Sequence, residues 1–254
     1  SLDLILNGNF FEMMRCRAAV DSPDIIYETY ALDMVRSAME GHHQIFDALQ
    51  RFMENPQHRL IYIVGDADRG ILWPKVQEEL RARISERLEF RSKSHKEDSI
   101  YVEHGHEYDP FFRVDTDQNF DERNGLAILR LPWAAFFNAH FIQPLRSVRP
   151  QFYRVRPMKH YLTWAFLFET RFLMRVIWQF LKMAWKALTL KSYPGRNWWT
   201  IFGVFTNRAD SESLQDEADM LLLEDGIQKV IFGHTHLADY RQFSSGKEYF
   251  NSGT

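Results

Sequence analysis

The sequence contains only one cysteine, Cys16, among its 254 residues. A single cysteine excludes an intramolecular disulfide framework and a cysteine-based zinc knuckle. The chain also lacks internal repeats, low-complexity tracts and the succession of basic, apolar and small residues that marks a signal peptide. Hydrophobic residues make up 45% of it, enough to bury a substantial core. We therefore expect a globular, cytoplasmic protein that is stabilised by its core.

Acidic residues are almost absent from one part of the chain. Between residues 141 and 200 there are eleven lysines and arginines and a single acid, Glu169, although the whole chain has a net charge of −3. The remaining residues are therefore strongly acidic as a group. A basic block within an acidic protein predicts an anionic partner, such as a phospholipid surface or a nucleic acid.

Apolar runs of strand length alternate with helical patterns, which predicts an α/β fold. Helices are expected over residues 25–53, with a break near residue 41, and over 74–83 and 213–224. Strands are expected over residues 2–6, 60–64, 88–90, 100–102 and 229–232, with a terminal hairpin formed by 237–243 and 249–250. Ligands in such folds gather at the carboxyl ends of strands.

Four of the apolar runs are followed by glycine together with a potential metal ligand. The residues at these four ends are Gly8-Asn9, Gly65-Asp66, His104-Gly105-His106 and Gly233-His234-Thr235-His236. Imidazole is the commonest protein ligand of transition metals. Because alternate residues of a strand point the same way, His234 and His236 are expected to face one centre. The sequence therefore predicts a metal site at the strand ends.

Residues 161–190 are mostly large and apolar, with one polar stripe at helical spacing. The stripe consists of Arg171, Arg175, Gln179, Lys182 and Lys186. A membrane span is disfavoured, because each central basic residue would cost about 2.5 to 3.5 kcal/mol on insertion scales. Two interpretations remain open: a helix on an anionic membrane surface or over an acyl chain, and a helix packed in the core or in a homo-oligomer. Nucleic-acid binding is disfavoured, because the aromatic residues follow helical periodicity.

The ordered motifs GNFFE (residues 8–12), GDAD (65–68), HGH (104–106) and GHTH (233–236), followed by NSGT (251–254), resemble those of the calcineurin-like metallophosphoesterases. With its long aromatic segment between HGH and GHTH, the chain looks more narrowly like the branch that includes UDP-2,3-diacylglucosamine pyrophosphatases. The resemblance implies a four-layer α/β/β/α sandwich in a single domain over residues 1–254. A basic, aromatic helical insertion or lid is expected over residues 113–205. The family's D-x-H motif and its strand have no counterpart here.

The resemblance also implies roles for individual residues and a divalent cation, with Mn²⁺ first and Zn²⁺, Fe²⁺ and Mg²⁺ as alternatives. One or two ions are expected. The implied metal ligands are Asn9, Asp66, His104, His234 and His236. The implied catalytic positions are Asp66, Ala67, Asp68 and His104, and the expected substrate contacts are Arg69, His106, Arg171 and Arg175.

Three positions depart from the family pattern. Asn9 stands where the family has a bridging aspartate, Asp66 where it has asparagine, and Ala67 where it has a histidine that contacts the phosphoryl group. A neutral bridge cannot offset the repulsion between two cations, so one ion is favoured over two. Loss of the imidazole removes a contact worth roughly 10² to 10³ in rate.

These departures leave two functions open. The first is an impaired metallophosphoesterase, which hydrolyses a phosphodiester or pyrophosphate in a phosphorylated small molecule or lipid. The second is a catalytically silent relative that binds a membrane or another partner as a scaffold. In either case the basic segment allows peripheral attachment to an anionic membrane surface.

Overall fold

The computed structural model describes residues 2–13, 26–114, 118–123, 125–150, 166–189 and 211–253. The chain forms two compact units, one of residues 1–131 with 209–254 and one of residues 132–208. The first part of the predicted insertion, residues 113–131, thus belongs to the first unit. Residues 151–165 and 190–210 fall outside the described residues.

The described strands all belong to the first unit and form open sheets. They are β1 (Asp3–Asn7), β2 (Arg59–Ile63), β3 (Glu89–Arg91), β4 (Ser94–Glu97), β5 (Ile100–Glu103), β6 (Phe120–Arg123), β7 (Leu126–Leu129), β8 (Lys229–Phe232), β9 (Ala238–Gln242) and β10 (Glu248–Ser252). The first sheet has the order β1-β2-β3 and is parallel throughout. Its central strand is almost completely buried, as expected when both faces of a parallel sheet are covered.

The second sheet has the order β4-β5-β8-β10-β9. Strands β5, β8 and β10 run parallel, and the edge strands β4 and β9 pair antiparallel to their neighbours. Strands β6 and β7 form a separate hairpin. The fold is therefore mixed α/β with open mixed sheets, not a closed barrel.

The described helices follow the predicted positions closely in the first unit. The α-helices of the first unit are α1 (Glu28–Gly41), α2 (His43–Met53), α3 (Pro74–Arg83) and α7 (Ser211–Leu222). Those of the second unit are α4 (Trp133–Phe137), α5 (Gln143–Arg146) and α6 (Thr170–Thr189). The break predicted near residue 41 is confirmed, because His42 leaves helical geometry between α1 and α2. Helix α3 begins with Pro74 at its first position, where the missing N–H costs nothing.

A buried cluster joins α7 to the second sheet. Leu214, Ala218 and Leu222 of α7 pack with Phe232 of β8 and Tyr249 of β10, and all five are buried. Removing such apolar side chains from water is the main favourable term in folding. The packing fixes the carboxyl end of β8, from which the GHTH motif follows.

The described residues of the second unit, 132–150 and 166–189, are mainly helical. A π-helical turn, Asn138–Ile142, connects α4 to α5, and α6 buries Phe172, Val176 and Met183. Gln179, which was predicted to belong to the polar stripe, instead donates a 2.7 Å hydrogen bond to the His140 carbonyl. A membrane-spanning helix is absent from the described residues.

Candidate metal centre

Loops from the carboxyl ends of four strands meet in the first unit. Asn9 follows β1, Asp66 follows β2, His104 follows β5 and His234 follows β8. These strands come from both large sheets. The amide Nδ2 of Asn7, the last residue of β1, donates to the backbone oxygen of Glu103 at 3.1 Å and joins the two sheets at this point. The predicted gathering of strand ends is thus observed.

Two glycines allow the loops to approach this closely. A Cβ atom on Gly8 would lie 2.4 Å from the Nδ1 atom of His104, and Gly8 also has a φ of +77°. A Cβ atom on Gly65 would lie 2.3 Å from the Oδ1 atom of Asn9. Real Cβ atoms do not tolerate such distances, so both positions require glycine.

Asp66, His104 and His234 form a buried group whose ligand atoms all lie within 4.8 Å of one another. The Oδ1 atom of Asp66 is 3.1 Å from Nε2 of His104 and 3.3 Å from Nδ1 of His234. Ligands placed about 2.1 Å from a tetrahedral metal are roughly 3.4 Å apart. In the described parts of the chain this is the one group of three with the spacing of a metal site. It fits a single cation.

The outward nitrogen of each imidazole faces an oxygen acceptor. Nδ1 of His104 lies 2.8 Å from the backbone oxygen of Asn7, and Nε2 of His234 lies 3.4 Å from Oδ2 of Asp109. Because an acceptor requires a proton on the facing nitrogen, the neutral rings present unprotonated Nε2 and Nδ1 atoms to Asp66. Lone pairs facing a carboxylate need a proton or a metal cation between them. Such outer partners are typical of metal-bound histidines.

The charges of the group are balanced without a metal. Burial opposes ionisation of Asp66, but its hydrogen bonds with His104 and His234 outweigh burial and hold its pKa well below the usual range. Burial likewise lowers the pKa of His234, but hydrogen bonds and charges of Asp109 and Asp66 outweigh it and raise the pKa to about 9. At neutral pH the His234 imidazolium therefore supplies the positive charge that a bound cation would replace.

Asn9, a predicted metal ligand, holds the loop after β2. Its Nδ2 donates to Oδ1 of Asp66 at 3.0 Å, and its Oδ1 accepts a 2.8 Å hydrogen bond from the Ala67 backbone N–H. Its φ of 54° lies in the left-handed region, which asparagine tolerates better than most residues. Both polar atoms are engaged within the protein, so Asn9 orients Asp66 in this structure.

Asp68, one of the predicted catalytic positions, joins the loops after β1 and β2. Its Oδ2 accepts hydrogen bonds from the Tyr62 hydroxyl at 2.5 Å and the Phe10 N–H at 3.0 Å, and its Oδ1 accepts one from the Gly65 N–H at 2.7 Å. Burial raises the pKa of Asp68 despite these donors. The sequence reasoning missed Tyr62, although a lone hydroxyl in a buried strand is a signal that a partner is needed.

His236 does not join His234 in the centre. Strand β8 ends at Phe232, and His234 and His236 have φ angles of 68° and 57°. Strand alternation does not extend through left-handed residues, so the reason for expecting the two rings to face one centre does not apply here. His234 is buried, whereas His236 is exposed and lies outside the three-residue group.

His106 and Arg69, two predicted substrate contacts, are both buried but differ in their bonding. The ring centroid of His106 is 5.4 Å from that of His104. Neither ring nitrogen of His106 makes a hydrogen bond, and Nε2 lies 3.6 Å from Oε1 of Glu107. Burial and the neighbouring His104 lower its pKa well below the usual value. Arg69 instead donates to the Arg130 carbonyl and to Oδ1 of Asn119. His106 is therefore the residue with binding capacity left over.

Arg171 and Arg175 lie on α6, in the second unit. Both are exposed, and together with Arg149 they line a pocket of about 510 Å³. Arg149 pairs with Glu169 in this pocket. The substrate role of the two arginines remains a prediction.

No protein-family model, curated protein or solved structure matches the chain. The resemblance to metallophosphoesterases therefore rests on the sequence motifs alone.

Proposed function

We propose that the protein is a metal-dependent phosphoesterase that holds one divalent cation on Asp66, His104 and His234. The observation that carries the proposal is the buried convergence of these three ligand atoms within 4.8 Å, with both outward imidazole nitrogens facing oxygen acceptors. The two open sheets and their helices are compatible with the four-layer sandwich expected from the motifs.

The donor set restricts the choice of metal. Two imidazole nitrogens and one carboxylate oxygen suit Mn²⁺, Zn²⁺ and Fe²⁺ better than Mg²⁺, which takes oxygen ligands almost exclusively. Among the described residues there is no second group of three donors with similar spacing. We therefore propose a centre with one ion, and Mn²⁺ is the first metal to test.

A bound divalent cation would supply Lewis acidity and lower the pKa of a water molecule. The chain's own residues then have distinct tasks. Asn9 orients Asp66, and Asp109 orients His234. His106, whose Nδ1 makes no hydrogen bond, would contact a phosphoryl oxygen of a phosphodiester or pyrophosphate. Ala67 has no side-chain donor to offer, which accounts for the impaired rate that we expect.

One observation favours a second candidate function, a silent scaffold. Oδ1 of Asp66 already lies within 3.3 Å of three nitrogens, those of Asn9, His104 and His234. A centre that satisfies its own polar groups can stabilise the fold without turnover. In that case the centre is a structural site, and binding elsewhere on the chain is the function.

Metal binding is tested first. The full chain is dialysed against Mn²⁺ and its metal content is measured, alongside His104→Ala, His234→Ala and the matched control His43→Ala. His43 is an exposed histidine at the start of α2 and controls for adventitious binding to imidazole. We expect one bound ion in the unchanged chain and in His43→Ala, and none in the other two variants. Equal metal content in all four proteins would overturn the proposal.

Catalysis is tested by restoring the family pattern. The triple variant Asn9→Asp, Asp66→Asn and Ala67→His is compared with the unchanged chain in Mn²⁺-dependent hydrolysis of bis(p-nitrophenyl) phosphate. A gain of about 10² or more in rate is expected, because the imidazole at position 67 restores a phosphoryl contact and the carboxylate at position 9 replaces the one lost at Asp66. Metal binding without turnover in either protein would favour the silent scaffold.

A further inference from the structure

Helix α6 has two apolar faces instead of one. The first packs within the second unit through Phe172, Val176 and Met183. The second is exposed and recurs at intervals of three and four residues, which places its members within an arc of about 100° on a helix. We call this second surface the exposed apolar face of α6, and it consists of Met174, Ile177, Trp178, Leu181, Trp185 and Leu188.

The size of the exposed side chains makes this surface unusual. Trp185 is 72% exposed and Trp178 is 59% exposed. Large aromatic side chains usually bury most of their surface in a core or an interface. A contiguous exposed apolar patch of this kind typically marks an interaction site.

Basic residues border the exposed apolar face along one side. Arg171, Arg175, Lys182 and Lys186 recur at intervals of four, seven and four residues, and α6 contains no acidic residue. The Lys182 ammonium lies 5.3 Å from the centre of the Trp178 ring, so the basic side adjoins the aromatic one. We call these four residues the basic edge.

The geometry points to an anionic lipid bilayer as the partner of α6, with the helix lying in the membrane interface. Tryptophan prefers the headgroup region, and the neighbouring aliphatic side chains can enter the acyl boundary. The basic edge then lies beside lipid phosphates, each cation adding attraction to an anionic leaflet. Four of the 20 residues of α6 are basic, which suits an interfacial position.

The charge pattern selects a lipid surface over a second copy of this chain. Pairing two exposed apolar faces would bring two basic edges together without any acid on α6 to neutralise them. The acid just before the helix, Glu169, already pairs with Arg149. An anionic bilayer neutralises the basic edge and covers the apolar face at the same time.

The test is flotation of the full chain with vesicles of phosphatidylcholine alone or mixed with phosphatidylglycerol. Binding is expected only to the mixed vesicles, and it should weaken as salt is raised. Trp178→Ala with Trp185→Ala should reduce binding by about tenfold or more, whereas phenylalanine at both positions should retain most of it. Lys182→Gln with Lys186→Gln should reduce binding by about fivefold for each charge removed.

Matched controls use residues of similar exposure in the first unit. Met220→Ala with Leu223→Ala removes two apolar side chains that are 65% and 72% exposed, and Arg51→Gln with Lys96→Gln removes two exposed charges. Neither pair should reduce binding. The inference is overturned if the mixed vesicles do not bind the chain, or if control and α6 variants bind equally. It is also overturned if sedimentation shows a dimer that the alanine pair abolishes while vesicles remain unbound. The outcome does not depend on metal content.

Discussion

The candidate metal centre and helix α6 differ in which side chains they bury. In the centre, the ionisable side chains of Asp66, His104 and His234 are buried and contact one another. On α6, by contrast, the aromatic side chains of Trp178 and Trp185 are exposed. Buried polar groups are tolerated only when they are bonded, whereas exposed apolar groups leave the fold unaffected until a partner arrives. The centre therefore depends on the fold, but the exposed face of α6 does not.

The centre and the exposed apolar face of α6 should therefore respond differently to substitution. Changes in or beneath the centre should reduce the free energy of unfolding and metal binding together. Changes on the exposed apolar face of α6 should alter association and leave the free energy of unfolding nearly unchanged.

The largest effect is expected from Gly8→Ala. The new Cβ atom would lie 2.4 Å from Nδ1 of His104, at a residue whose φ is +77°. His104 and the loop must move apart, which should cost about 3 kcal/mol or more in the free energy of unfolding and abolish Mn²⁺ binding. Chemical denaturation and metal analysis measure the two losses.

The control is Gly41→Ala, at the end of α1, where nothing lies within 4 Å of the added Cβ atom. That substitution should leave metal binding unchanged and stabilise the protein by up to about 1 kcal/mol. If Gly8→Ala left Mn²⁺ binding and the free energy of unfolding as unaffected as Gly41→Ala does, the close contact between Gly8 and His104 would be contradicted.

Much of the centre could be predicted from the sequence, because short local patterns mark the strand ends that form it. The apolar runs before Asn9, Asp66, His104 and His234 identify strand ends, and strand ends in α/β folds converge. Helix α3 and strand β8 were predicted at their observed bounds, since Pro74 and a short aliphatic run mark them clearly. These elements follow from periodicity and from residues that begin helices.

Other features depend on tertiary structure and could not be read from local pattern. Strand β4 has the polar sequence Ser-His-Lys-Glu and forms because β5 offers it an edge. His236 lies outside the group of three ligands, and the left-handed conformation of His234 and His236 is one that no strand pattern reveals. Asp109 faces His234, which is 125 residues away in sequence, and no local pattern indicates that contact. Gln179 belongs to the polar stripe by its spacing, but in the folded chain it bonds to the His140 carbonyl.

A smaller loss of stability is expected from Tyr62→Phe. This change removes the donor 2.5 Å from the buried Asp68 carboxylate without creating a cavity. Leaving a buried charged acceptor with one donor fewer should cost about 1 to 3 kcal/mol in the free energy of unfolding. Tyr240→Phe is the matched control, since its hydroxyl bonds Glu248 at the surface. Similar losses in the free energy of unfolding of both variants would show that burial does not increase the effect of losing the hydroxyl.

The pH dependence of Mn²⁺ affinity should reflect the proton that His234 holds. Burial lowers the pKa of His234, but Asp109 and Asp66 raise it to about 9, so the metal must displace this proton at neutral pH. Affinity should therefore rise by up to about tenfold per pH unit, or about 1.4 kcal/mol, and level off near pH 9. Calorimetric titration at several pH values measures this slope, and a flat profile would exclude His234 as a ligand.

The same proton affects the metal-free protein in the opposite direction. Because the folded pKa of His234 lies above its value of about 6.5 in unfolded chains, the stability it contributes is complete below that pH. It is lost as pH rises towards about 9. Excess Mn²⁺ should remove this loss, and thermal melts with and without the metal provide the measurement. A metal-free protein that becomes more stable over this range would contradict the charge balance of the centre.

The smallest effect is expected on α6, and it is the sharpest test of the comparison. Trp185→Ala removes a side chain that is 72% exposed, so it should change the free energy of unfolding by no more than about 0.5 kcal/mol. Phe141→Ala, at a fully buried aromatic of the same unit, should cost about 3 to 5 kcal/mol. A loss at Trp185 that approached the loss at Phe141 would mean that this face is already covered in the folded chain. A lipid surface would then have nothing left to bury, and the contrast with the metal centre would disappear.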